Sequence, residues 1–280
     1  MTDVTIQIDD VAARGAVPVW LPAVSLCRRE LVRFLRQRHR VIGAFATPLV
    51  FWLLIGLGMG RSFQTDSPGG GSYIAYFFPG TLVMILLFTA IFSTISIIED
   101  RREGFLQSVL VAPVSRMSIV LGKVLGGTVL AVGQAAVFLL LAPTVGVSVS
   151  LVAALMTLLM MTVVGFALTA LGFCIAWRMS STQGFHAIMN LFLMPMWFLS
   201  GALFPVRADT FGPMKWVMSI NPLTYGLAGI RRCLYWGEPV GATAWVPGLG
   251  LSALVTVCFA VLMFTLATVI ARRNVEGDLQ

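Results

Sequence analysis

Residues 124–177 read VLGGTVLAVGQAAVFLLLAPTVGVSVSLVAALMTLLMMTVVGFALTALGFCIAW, without a single Asp, Glu, Lys or Arg. A helix crossing a ~30 Å hydrocarbon core needs roughly 20 mostly apolar residues at about 1.5 Å rise each, so this run is long enough to cross twice. Pro143, Gly146 and Ser148 punctuate its middle and predict a short turn between two helices. The solvent for this part of the chain is lipid.

Four more uncharged stretches lie on either side: Val41 to Gly60, Ser67 to Ile98, Met179 to Val206 and Pro239 to Ala271. Together they predict an all-α membrane protein of six transmembrane helices, at about 41–60, 73–98, 118–142, 149–177, 183–206 and 246–271. Composition agrees: 58% of residues are hydrophobic and 11% charged, against about 25% charged in a soluble domain. Mean hydropathy is +0.91. The second span would measure about 39 Å as one helix, so a break at Pro79 and Gly80, or a strong tilt, is expected to absorb the excess.

The net charge of +7 is informative through its distribution. Arg14, Arg28, Arg29, Arg33, Arg36, Arg38 and Arg40 precede the first span. Arg101, Arg102, Arg116 and Lys123 fall between the second and third, Arg178 between the fourth and fifth, and Arg272 and Arg273 after the sixth. That places 14 of the 19 basic residues on one side, with Arg61, Arg207, Lys215, Arg231 and Arg232 on the other. The positive-inside rule then puts both termini in the cytoplasm. Asp3, Asp9 and Asp10 within a segment lacking an apolar core argue against a cleavable signal peptide. Cys27, Cys174, Cys233 and Cys258 are scattered, which implies neither a disulfide framework nor a zinc site.

Residues 1–40 read as a cytoplasmic leader followed by an amphipathic interface helix. Val24, Cys27, Leu31, Phe34 and Leu35 share one face, and Arg29, Arg33, Arg36 and Arg40 the opposite one, which would meet the headgroups of anionic membrane lipids. After the second span, Glu99 to Glu103 are five consecutive charges. Phe105, Leu106, Val109 and Leu110 then recur at helical spacing until Pro113, predicting a short amphipathic helix over 104–114. Residues 207–237 are half apolar, unlike a free loop, and predict two short helices dipping into the outer leaflet as a re-entrant hairpin joined near Ser219. Asn221 caps the second, Pro222 takes its first position and Gly237 closes it. Residues 273–280 form a cytoplasmic tail.

Several chemistries are excluded by what the spans lack. No acidic residue is read within them, which disfavours ion-coupled secondary transport. Ser200 and His186 would stand about 21 Å apart along one helix, too far for a catalytic dyad. There is no GxxxxGK[ST] phosphate loop, so the chain does not hydrolyse ATP itself. Scattered Ser, Thr, Gln134 and Asn190 are a thin lining for an aqueous channel.

The segment EDRREGFLQSVLVAPVSR (99–116), then FLSGALFP (198–205), then NPLTY (221–225) with Arg231, on a six-span pattern, resembles the permease subunit of type-2 ABC exporters, the family of drug efflux, nodulation-factor export and polysaccharide or glycolipid export. The resemblance implies a bacterial cytoplasmic (inner) membrane location. It also implies a separate ABC ATPase subunit that holds the ATP and Mg, no cofactor in this chain, and a second permease half, expected as a homodimer. It makes 104–114 the coupling helix and nominates Glu103, Phe105, Ser108, Val109, Ala112 and Pro113 as ATPase contacts, with Arg101 and Arg102 meeting the ATPase or lipid phosphates. Phe77, Phe88, Phe92, Asn190, Met194, Trp197 and Phe198 become candidates for the substrate path. Pro205, Asn221, Pro222, Tyr225 and Arg231 mark the outer hairpin. The expected function is export of an amphipathic substrate: a drug, a lipid or a lipid-linked saccharide. The alternative is a non-transporting scaffold or sensor that docks a cytosolic partner; no nucleic-acid role is implied.

Overall fold

A computed structural model describes residues 18–59, 73–112, 114–147, 149–204, 211–236 and 246–273. The expected leader before 18, Pro113, Pro205, the 207–210 start of the hairpin, Gly237 and the tail after 273 lie outside the described residues. Among those residues every regular element is a helix: α1 Trp20–Arg36, α2 Arg38–Met59, α3 Tyr73–Ser93, α4 Ile95–Arg102, α5 Phe105–Val111, α6 Arg116–Leu139, a 3-10 turn Ala142–Val145, α7 Leu151–Ala176, α8 Thr182–Phe198, α9 Gly212–Ile220, α10 Pro222–Leu234 and α11 Leu249–Arg273. Five helical stretches are long and apolar enough to cross a membrane: Val41–Met59, Tyr73–Arg102 (α3 with α4), Arg116–Leu139, Leu151–Ala176 and Leu249–Arg272.

Serines start three of these helices. The side chains of Ser115, Ser150 and Ser181 accept from the backbone N–H of Ser118, Ala153 and Gly184 at 3.1, 3.1 and 3.2 Å, satisfying donors that a helix start leaves open. Between α6 and α7 the expected turn is present, closed by Gly146 at φ +79°.

Helix α3 is the centre of the fold, packed by α2, α6, α7, α8 and α10. Apart from Ile74, Phe88, Thr89, Phe92 and Ser93 its side chains are buried. Helices α2 and α11 have mostly exposed apolar side chains, as suits helices turned toward lipid or another protein.

Of the two expected ways to fit the second span, a break at Pro79 and Gly80 or a strong tilt, the break does not occur; α3 continues through both residues. Proline removes the N–H that would pair with the carbonyl four residues earlier, here Ala75. The Tyr235 hydroxyl donates to that carbonyl at 3.1 Å. A tertiary donor thus replaces the missing ladder bond. The interruption falls instead at Thr94, where Ser93 Oγ and Thr94 Oγ1 donate to the carbonyls of Ala90 and Ile91 at 2.7 and 2.6 Å. Tyr235→Phe is accordingly expected to destabilise the purified protein by about 1 kcal/mol, read as a lowered thermal midpoint, and to be nearly silent when combined with Pro79→Ala.

The fifth expected span, 183–206, is shorter as a helix. Helix α8 ends at Phe198, and residues 199–204 form a non-helical turn, buried over 200–203, with Gly201 at φ +84°. Tyr76 and Tyr73 of α3 donate their hydroxyls to the carbonyls of Gly201 and Leu203 at 3.0 and 2.9 Å. Irregular backbone at membrane depth is tolerated when protein satisfies it in this way. At 17 residues, α8 is about 26 Å long.

Candidate functional site

At the Asp100 end of the bundle, α1 lies along α6 because Gly122 and Gly126 remove the side chains that would hold it away. A Cβ built on Gly122 would stand 2.7 Å from Leu26 Cβ and 2.8 Å from the Ala23 carbonyl oxygen. Ala23, Leu26 and Glu30 are buried there, while Val24 and Leu35 point outward. Two of the arginines expected to face lipid turn inward instead. Arg29 makes a two-pronged contact with Asp100, Nη1 to Oδ2 at 2.9 Å and Nη2 to Oδ1 at 2.7 Å, and Arg33 Nη1 reaches the same Oδ1 at 3.0 Å. Arg33 Nη2 also meets Glu99 at 2.8 Å and Glu103 at 3.4 Å. Arg28 and Arg36 stay exposed.

Lys123 of α6 completes the junction. Its ammonium donates to Glu30 at 2.5 Å, to Ser96 at 3.2 Å and to Asp100. Glu30, Asp100 and Lys123 are each no more than 5% exposed. Buried charges of this kind persist only when paired and hydrogen-bonded. The hydrogen bond it donates to Asp100 raises the pKa of Arg29 above its usual value, against the pull of burial, and the charges of Asp100, Glu30 and Glu103 add to the rise. The reading that no acidic residue enters a span is corrected here: Asp100 belongs to the Tyr73–Arg102 stretch and is fully buried. A lysine eight positions into an apolar helix was the available signal, since such a residue requires a partner.

The junction reaches the short helix α5. Gly104, at φ +75°, turns the chain between α4 and α5, a backbone shape that side chains disfavour. The Arg29 guanidinium carbon sits 3.6 Å from the centre of the Phe105 ring. Leu106 is buried, Val109 and Ala112 are half-buried, and Glu103 and Ser108 are exposed. Val111 is 78% exposed at the tip. Arg101 and Arg102 point to the chain just after α7: Arg101 donates to the Trp177 and Met179 carbonyls at 2.7 and 3.3 Å, and Arg102 Nε to Ser180 at 3.0 Å. They tie that helix end down.

A cavity of about 570 Å³ opens between α2, α3, α6 and α8, with Glu99 and Gln37 at the junction end and Phe51, Met84 and Ile85 along its apolar wall. Of the seven path candidates, Phe88, Phe92 and Met194 line it. Phe88 and Phe92 have ring centres 5.8 Å apart, and His186 lies 4.9 Å from Phe92. Phe77 and Trp197 are packing residues, 6.0 Å from one another and fully buried; Trp197 Nε1 donates to Gly80 at 3.0 Å. Asn190 and Phe198 are exposed on α8 and do not line the cavity.

At the opposite end, Asn221 caps α10 by accepting from Leu223 N–H at 3.0 Å, and its amide donates to the Met196 carbonyl at 2.7 Å. Pro222 takes the first helical position, and Tyr225 donates to Ser219 at 2.9 Å. Arg231 stacks over Tyr76 at 4.4 Å. Among the described residues no group of His, Cys, Asp and Glu is arranged to hold a metal ion.

These features define a polytopic helical membrane protein with a charged junction and a projecting short helix at one end and a cavity between its spans. Residues 23–235 match the ABC-2 type transporter family, and the chain belongs to that family. It is 29% identical over 236 residues to Nodulation protein J of Rhizobium meliloti (strain 1021), covering 84% of this chain and 86% of that one. It is 29% identical over 238 residues to Nodulation protein J of Sinorhizobium fredii (strain NBRC 101917 / NGR234), at 84% and 86% coverage. A third relative, Nodulation protein J of Rhizobium leguminosarum bv. trifolii, is 30% identical over 226 residues, at 76% and 85%. The chain is thus a membrane-spanning subunit of an ABC transporter.

Proposed function

We propose that this subunit, in the bacterial inner membrane, exports an amphipathic molecule, a drug, a lipid or a lipid-linked saccharide, out of the cytoplasm or the inner leaflet. The cavity carries this reading: it is walled by Phe51, Phe88, Phe92, Met84 and Met194, with Glu99, Gln37 and His186 among its polar residues. Flexible Met and flat Phe suit apolar cargo of varied shape, and the polar end suits a headgroup. Both termini and α5 face the cytoplasm in this reading. A separate ATPase grips α5, and a second copy of the chain supplies the other half of the path.

The exposed tip of α5 supports this placement of the ATPase. Val111→Asp is expected to leave the thermal midpoint of the purified subunit unchanged, since the side chain touches little of its own fold. In vesicles holding the assembled complex it is expected to lower cargo-stimulated ATP hydrolysis by roughly tenfold or more, because a charge placed in an apolar contact costs above about 1.4 kcal/mol. ATP hydrolysis without movement of any lipophilic dye or fluorescent phospholipid would favour a docking scaffold over an exporter.

A further inference from the structure

Helix α2 carries Pro48 in its interior, which leaves the Ala44 carbonyl without its ladder donor. The side-chain amide of Gln134 on α6 donates to that carbonyl. Its own oxygen accepts from Thr89 Oγ1 of α3 at 2.6 Å. One buried amide therefore joins three helices, with both of its ends used. Ala44, Thr47, Pro48, Thr89 and Gln134 all lie on the cavity wall.

The aromatic anchor of α2 lies on the far side of the proline. Trp52 is buried, with its ring against Phe78 and Phe138 at centre distances of 5.7 and 5.3 Å and its Nε1 donating to Ile74 at 3.4 Å. Before the proline, Ile42, Gly43, Ala46 and Thr47 are exposed. The half of α2 after Pro48 is anchored by aromatic packing; in the half before it Val41, Ala44 and Phe45 are half-buried and the Gln134 amide holds the Ala44 carbonyl.

We propose that Gln134 is a positioning residue, a catch that pins residues 38–47 of α2 against α3 across the hinge at Pro48, so that its release opens the side of the cavity. Glutamine suits the task because a single planar group presents both a donor and an acceptor. Thr89 does not need the catch, since a helical threonine can turn its hydroxyl to the carbonyl four residues earlier. The freed group on release is the Ala44 carbonyl, which is unpaired only because residue 48 is proline. The catch and its hinge stand on geometry alone; their bearing on cargo rests on the exporter reading.

Pro48→Ala returns the ladder donor to Ala44 and supplies the test. In the full-length protein with its four cysteines replaced and Met84→Cys added, at a buried position of the cavity wall, maleimide labelling in lipid vesicles reports access to the cavity. Gln134→Leu is expected to raise the labelling rate several-fold and to lower the thermal midpoint by a few degrees. In the Pro48→Ala background the same change is expected to do neither. Equal effects of Gln134→Leu in both backgrounds, or unchanged labelling in the Pro48 background, would overturn the proposal. These readouts need no cargo, so an absence of transport would count against the exporter reading and leave the catch standing.

Discussion

Lys123→Met is expected to cost about 3 kcal/mol of stability and to lower the yield of folded protein sharply. The loss comes from what remains: Glu30, 5% exposed, keeps only Arg29 at 3.7 Å once the ammonium at 2.5 Å is gone. An uncompensated buried charge is worth about 3–5 kcal/mol, and the lower end applies because Asp100 retains Arg29 and Arg33. Glu30→Met with Lys123→Met removes both charges and is expected to recover to within about 1 kcal/mol of the parent, since apolar replacement of a whole buried pair is often neutral. The check is the unfolding midpoint of the four proteins of this cycle in one detergent. Independent, additive effects would mean that the two groups do not act as a pair.

Gly122→Leu should be comparably severe for a steric reason. The nearest atoms to its new Cβ, at 2.7 and 2.8 Å, include the backbone oxygen of Ala23, which cannot move without moving α1. Overpacking in a tight contact costs about 1–3 kcal/mol. Here lifting α1 also pulls Arg29, Glu30 and Arg33 off Asp100 and Lys123, so a loss of more than about 3 kcal/mol is expected. Amide hydrogen exchange over residues 20–36 would rise sharply in the variant. Gly133→Ala on the same helix has nothing within 4 Å of the new Cβ and is expected to be neutral or slightly stabilising. If residues 20–36 exchanged equally in both variants, α1 would not depend on this close approach.

The two effects share a cause that bears on function. Helix α1, the end of the second span and α5 are joined through Asp100 and the stacking of Arg29 on Phe105. Under the exporter reading, a push on α5 would reach α6 through Lys123, which donates to Asp100. Under the exporter reading, substitutions here would uncouple ATP hydrolysis from cargo movement before they abolished either.

Much of the local structure was legible in the residues. Asn221 and Pro222 start α10 as their capping chemistry requires, and Gly146 closes the turn between the third and fourth spans. The short helix after Glu103 begins and ends within a residue or three of its expected bounds. Harder to see was the interior of the membrane region. Phe77, Trp197, Phe88 and Phe92 are all large and apolar, and only the first pair is sealed in the core while the second lines the cavity. In water, polarity distinguishes the buried side of a helix from the exposed one; in lipid both sides are apolar, so the pattern carries no such mark. Pro79 misled for a related reason. Its cost depends on whether a donor such as Tyr235, 160 residues away, reaches the Ala75 carbonyl.

From the order of its residues alone this protein was determined to be helical and lipid-embedded, because hydrocarbon forces backbone groups to pair within the chain and keeps most charge out of the spans. Only the tertiary structure decided which face of each span meets protein, that Arg29 and Arg33 look inward, and that Glu30, Asp100 and Lys123 form one buried cluster. The charged cluster depends on pairings between residues as many as 93 positions apart, set by how closely α1 can approach Gly122 and Gly126 rather than by any local preference.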